Sequence, residues 1–150
     1  MKVFALLALS TVVLLGSFTN CDAQMEPIGI VKSLDNSAFI TRKNENLKAE
    51  QGMAIVLGDE IRTGPDGKIG IIFKDDTIIS MGPQSRFIIS EFLFEPVEGK
   101  LSFIGSILRG TISFLSGQIV RLAPDSVRLE LPAGIVGVRG THILIRVEGE

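Results

Sequence analysis

From Ile28 onward the apolar residues of this chain come in runs of four to eight, and Gly, Pro, Asn or Asp breaks each run before a helix could bury one face. An amphipathic helix needs apolar residues at three and four spacing over ten or more positions. Short runs rich in Ile, Val and Phe, bounded by turn formers, are the pattern of strands. The predicted strands are 28–31, 38–42, 60–63, 68–73, 77–81, 86–94, 100–104, 106–108, 111–115, 118–122, 127–131, 136–138 and 142–147. Residues 43–52 read as a polar loop with room for one helical turn. A chain of 150 residues supports one domain with a sizeable core. The expected fold is therefore all-β: a single domain of short strands and hairpins, built as a sandwich or roll, with β-solenoid character as a variant.

The turns are written explicitly. In Gly64-Pro65-Asp66-Gly67, Pro fixes one φ, Asp can bond the following backbone, and Gly accepts the left-handed region. Lys74-Asp75-Asp76-Thr77 joins two apolar runs as a tight hairpin, and Gly82-Pro83-Gln84-Ser85 makes a further break. Leu108-Arg109-Gly110-Thr111 is echoed by Val138-Arg139-Gly140-Thr141 thirty positions later. Two copies suggest stacked β units or a chance recurrence, and they do not establish a repeat.

The N-terminus has the form of an export signal. Met1-Lys2 is a positive start, residues 3–16 are apolar, and small residues lead to Ala23. The run is short for a membrane-spanning helix, which is the competing reading. Cleavage after Ala23 gives residues 1–23 as signal peptide and 24–150 as the mature domain. The alternative is lipidation at Cys21, the only cysteine, although Asn20 is a poor match just before a lipid-bearing cysteine. Either outcome predicts a periplasmic or secreted protein. A membrane association is expected only if Cys21 carries lipid.

Composition narrows the partners. The formal net charge is -2, and no basic run marks a nucleic-acid binder. Nine Phe but no Trp or Tyr weaken readings as a stacking platform for bases or sugars. Phe87, Phe92, Phe94, Phe103 and Phe114 fall in strand runs and read as core. His142 is the only histidine. It reads as a polar strand residue, since zinc or triad chemistry would need partners the sequence does not display. The adjacent carboxylates Asp59-Glu60 and Asp75-Asp76 point to opposite faces if extended, so neither pair suits one substrate. Calcium would need six to eight oxygen ligands, which no loop supplies. Turn chemistry is the expectation for Asp75 and Asp76. Asp59 is expected to accept backbone N–H groups or to pair with an arginine. No cofactor, metal site or enzyme activity is predicted.

Near the C-terminus, Gly134, Gly137 and Gly140 recur at every third position around Arg139, among branched aliphatics. Glycines there suggest close backbone approach, and five guanidinium donors could satisfy the carbonyls of neighbouring turns. Arg139 is thus expected to be a buried structural keystone, with a ligand-facing arginine as the alternative.

These motifs fall into one order. Leu57-Gly58-Asp59-Glu60-Ile61-Arg62-Thr63-Gly64 resembles the GD-x-I-x-T element of FecR-type domains. Phe73-Lys74-Asp75-Asp76-Thr77 and the later Pro83-Gln84-Ser85 are similar to that family's aliphatic-Asp-(Gly/Asp)-Thr hairpin and Pro-x-Ser. Leu131-Pro132-Ala133, followed by Val136-Gly137-Val138-Arg139-Gly140-Thr141, resembles its closing element. The resemblance covers about residues 28–147. It implies an extracytoplasmic all-β domain without catalysis, with Gly58, Asp59, Thr63, Asp75, Asp76, Pro132, Gly137, Arg139, Gly140 and Thr141 as structural motif residues.

FecR-type regulators carry a cytoplasmic anti-sigma region and a C-terminal subdomain that meets a transporter. A signal peptide stands where the former would be, so a free-standing periplasmic module is expected. Its leading function is binding or scaffolding of an envelope protein or an extracellular polymer, with no nucleic-acid partner. The alternatives are a detached sensor that relays a signal to a sigma factor or transporter system and, more remotely, an envelope hydrolase.

Overall fold

One strand organises the sheet. In the computed structural model, which describes residues 25–149, twelve strands form a single curled sheet. They are β1 (Pro27–Asp35), β2 (Ala38–Arg42), β3 (Glu45–Lys48), β4 (Ala54–Val56), β5 (Glu60–Thr63), β6 (Lys68–Phe73), β7 (Ile78–Met81), β8 (Arg86–Glu95), β9 (Lys100–Leu115), β10 (Val127–Leu131), β11 (Gly134–Gly137) and β12 (His142–Val147). The sixteen residues of β9 belong to both halves of the sheet. Its first part pairs with β8 and, in parallel, with β10. Its last part lies between β7 and β12, antiparallel to both. The order β3-β2-β5-β8-β9-β7-β6-β1-β4 therefore bends around β9. At 61% strand and 9% helix the domain is all-β, and among the expected alternatives it is a roll. The signal peptide at 1–23, lipidation at Cys21 and cleavage after Ala23 lie outside the described residues.

Alternation along the strands fills the roll. On one half Ile40, Ile61, Phe87 and Ile107 stand opposite one another in register, all fully buried. On the other half Val31, Ile71, Ile79 and Phe114 do the same. Between the halves, the Phe103 ring meets Phe73 edge-on at 5.2 Å, Phe92 at 5.9 Å and Phe114 at 5.5 Å. Such edge-to-face pairs add to the burial itself. Phe87, Phe92, Phe103 and Phe114 are core, and Phe94 packs against it.

Three expectations are corrected, and one open question is decided. Residues 118–122 form a short helix, α1 (Gln118–Leu122), not a strand. Ile119 and Val120 are adjacent and both buried, which a half-buried strand does not allow but one helical turn against the core does. The polar stretch 43–52 contains β3 and leads into β4. Lys43 and Asn44 both take positive φ (47° and 66°), the geometry of a two-residue hairpin that matches strand twist. The three strands predicted across 100–115 are one, because glycine permits a bend without ending the ladder. The Arg-Gly-Thr echo is not structural. Arg109-Gly110-Thr111 sits inside β9, whereas Arg139-Gly140-Thr141 lies in the connection between β11 and β12.

β9 passes from the β8 ladder to the β12 ladder at Gly110, whose φ is 94°, which makes this residue its bend. A methyl group there would come within 2.1 Å of Ser85 Oγ and 2.4 Å of Ser85 Cα. Gly52, with φ of 86°, has nothing within 4 Å of the same position. Gly52→Ala is therefore expected to cost about 1 kcal/mol from backbone strain alone. Gly110→Ala adds a backbone clash and is expected to cost about 3 kcal/mol or more. Urea unfolding of the two variants beside the parent checks the order, and equal losses would remove the special role of Gly110.

Candidate functional site

The motif residues converge on three polar anchors inside the roll. The first closes its open seam. β4 ends the sheet order and β2 lies one strand in from its other end, and Arg42, the last residue of β2, reaches between them. Its Nε and one terminal nitrogen donate to the two carboxylate oxygens of Asp59 at 2.9 and 2.7 Å. The same terminal nitrogen donates to the Ala54 carbonyl at 2.8 Å. Asp59 is fully buried and also accepts the Val56 N–H at 3.0 Å. Gly58, at φ 85°, makes the turn that delivers it. Bidentate pairing with Asp59 raises the Arg42 pKa above the ordinary arginine value. A raised folded pKa means that this contribution is complete below the ordinary arginine range and is lost only as pH climbs through the raised value.

The second anchor sits under the bend of β9. Thr63 is buried, donates its hydroxyl to the Gly82 carbonyl at 2.7 Å and accepts the Ser85 N–H at 2.8 Å. The Ser85 hydroxyl accepts the Thr111 N–H at 3.1 Å, one residue beyond Gly110. Hence β5, the Gly82–Ser85 turn and β9 are tied at one place.

The third anchor explains the Asp75-Asp76-Thr77 hairpin and α1 together. Asp75 is fully buried. Its carboxylate accepts the Thr77 hydroxyl at 2.7 Å, the Thr77 N–H at 3.1 Å and the Ile119 N–H at 3.4 Å. Its carbonyl accepts the Gln118 N–H at 2.6 Å. Asp76 takes φ 67°, which explains why a residue tolerant of the left-handed region stands there, and its exposed carboxylate accepts Gln118 Nε2 at 2.7 Å. The helix start is thus satisfied by a hairpin about 42 residues away in sequence.

The closing element is placed differently from expectation. Arg139 is not buried. Its side chain is 78% exposed and, among the described residues, its one bond joins Asp125, itself 81% exposed, at 2.7 Å. The neighbouring Val138 takes the inward position, so the arginine is left outside. Gly137 and Gly140 have nothing within 4 Å of a Cβ position, so they do not mark close packing. Pro132 begins the two-residue turn between β10 and β11, and Gly137 faces Arg128 across that hairpin. The main chain carries the contacts instead. The Thr141 carbonyl accepts the Ser116 N–H at 2.8 Å, and the Gly140 carbonyl accepts the Ser116 hydroxyl. The keystone arginine is Arg42, which stood unnoticed at the end of a predicted strand.

Each adjacent acidic pair is split, one member buried and the other facing outward. Glu60 holds Arg86 through two bonds of 2.8 and 2.9 Å. His142 Nε2 lies 2.7 Å from Ser113 Oγ on the outer surface, a pairing the sequence analysis missed because the residues are 29 positions apart. No carboxylate among the described residues is hydrogen-bonded to that ring. Among the described residues no three His, Cys, Asp or Glu side chains are placed to share a metal ion. No helix among them is long and apolar enough to cross a membrane.

Removing Arg42 leaves a buried carboxylate without its counter-charge. Arg42→Ala is expected to cost about 3 kcal/mol, while Arg139→Ala leaves the unfolding midpoint unchanged within error. Chemical unfolding of both decides this, and the reverse order would return the keystone role to Arg139.

The model of the family described as FecR protein matches residues 59–150, which begins at the buried Asp59 and includes the other two anchors. No curated protein and no solved structure matches the chain. The FecR family is a non-enzymatic one of envelope signalling, whose domains are periplasmic. With the match covering well over half of its length, the chain belongs to the FecR family.

Proposed function

We propose that this chain is a non-enzymatic binding or scaffold module of the bacterial envelope, exported to the periplasm or beyond. Its partner is an envelope protein or an extracellular polymer, held on the outer faces of the roll. One observation carries this reading. The buried polar groups of the family motif are consumed by bonds that hold turns, whereas the outer faces carry ordered rows of side chains. On one half Ile30, Ile72, Ile78 and Leu115 stand in register across four strands and face outward. Ile30 and Leu115 are 47% and 41% exposed. An exposed apolar row of this kind suits contact with a partner.

A second reading is favoured by family membership: the module is a sensor that relays a signal toward a transporter or sigma-factor system. The identity of the partner separates the two. The expected outcome of affinity capture from an envelope fraction is a specific partner that is lost in Ile30→Ser/Leu115→Ser with the fold intact. A transporter or sigma regulator selects the relay, and another envelope component selects the scaffold. Repeated capture of neither protein nor glycan would overturn the proposal.

A further inference from the structure

The other half of the sheet presents a row of different chemistry. Lys48, Phe39, Arg62, Arg86 and Arg109 stand directly opposite one another across β3, β2, β5, β8 and β9. Both Lys48 and the three arginines are exposed, and Phe39 is half-buried in the outward-facing position between Lys48 and Arg62. Strand spacing of about 4.8 Å makes the row roughly 19 Å long. Like charges directly opposite each other on a sheet are destabilising. Four cations in five adjacent positions are therefore not what stability alone would select, and overall basicity does not explain them, since the chain's net charge is -2.

Among the described residues Glu60 is the one carboxylate bonded into the row. It pairs with Arg86 and lies 3.6 Å from Arg62. The other guanidiniums are held by neutral amides: Arg62 donates to Asn46 Oδ1 at 3.1 Å and Arg109 to Gln84 Oε1 at 3.2 Å. Amides orient a guanidinium without cancelling its charge. Arg62, Arg86 and Arg109 line one open concavity of about 330 Å³ together with Thr63, Gln84 and Ser85. Gln84 itself sits at φ 51°, in the turn position where glycine is strain-free. A glutamine kept there at a backbone cost of about 1 kcal/mol supplies the amide that aims Arg109.

The geometry points to a linear track for an acidic polysaccharide, laid across the strands with its carboxylates on the arginines. This deepens the proposed binding role and rests on it. Arginine forks match carboxylates in pairs. The open, weakly apolar trough does not enclose a small apolar ligand. The row holds a single aromatic, the half-buried Phe39, so a succession of aromatics for stacked bases is missing from it. An extended acidic peptide presents same-side residues about 6.6 Å apart, out of step with the row.

Purified full chain, titrated with galacturonic acid oligomers of increasing length, tests the track. Affinity is expected to rise with oligomer length until the row is filled and to fall with added salt. Arg62→Gln/Arg109→Gln is expected to weaken binding about tenfold, as loss of two charge-assisted contacts implies. Glu60→Gln frees Arg86 and is expected to tighten it. Gln84→Gly is expected to raise thermal stability while weakening binding. Thermal unfolding verifies that each variant is folded. Binding that is absent, independent of length or unchanged in the double variant would overturn the track. So would tighter binding of a single-stranded oligonucleotide or of poly-glutamate. Capture of a protein partner beside failed oligomer binding would sink this inference and leave the binding module standing.

Discussion

Two half-sheets share β9, and the roll exists because that strand can turn a corner without breaking its ladders. A strand that paired with β8 along its whole length would continue one flat sheet. At Gly110 the backbone enters a region that side chains disfavour, and the space beside it is already filled by Ser85. The bend therefore depends on the absence of a side chain at one residue and on polar bonds immediately around it. Thr63 and Ser85 supply those bonds, so the corner is fixed by hydrogen bonding as well as by sterics.

The same logic recurs at the other two anchors. A curled sheet brings distant turns together in its interior, and their N–H and carbonyl groups must be satisfied there. Asp59 and Asp75 do this from full burial, each with several donors. No buried side-chain polar atom among the described residues lacks a partner. This explains why a family motif rich in Asp and Thr works as structure. Its carboxylates face inward toward backbone and Arg42. The outer faces carry residues such as Arg62 and Ile30 that alternate with the core.

Strand content and the inward phenylalanines were legible because alternation and turn residues are local signals. The exceptions were local too. Lys43-Asn44 was missed as a hairpin turn because neither residue is glycine, although both take positive φ. Residues 118–122 read as a strand because five aliphatic-rich positions do not distinguish one helical turn from an extended segment. What stops α1 (Gln118–Leu122) from being a strand is the Asp75 hairpin that caps it, far away in sequence. Arg139 looked buried from its glycine neighbours, but glycine signals close approach only when something approaches, and nothing does.

The sequence by itself determined an all-β chain, its turn positions and the acidic residues that serve those turns, because each rests on backbone preferences within a few residues. The tertiary structure decided which arginine neutralises Asp59, how one strand serves two half-sheets and which side chains form rows. Those outcomes depend on strand register and on contacts between residues tens of positions apart. Arg42 and Arg139 are the same residue type in strand-like surroundings. Only the closure of the roll places one against a buried carboxylate and leaves the other in water.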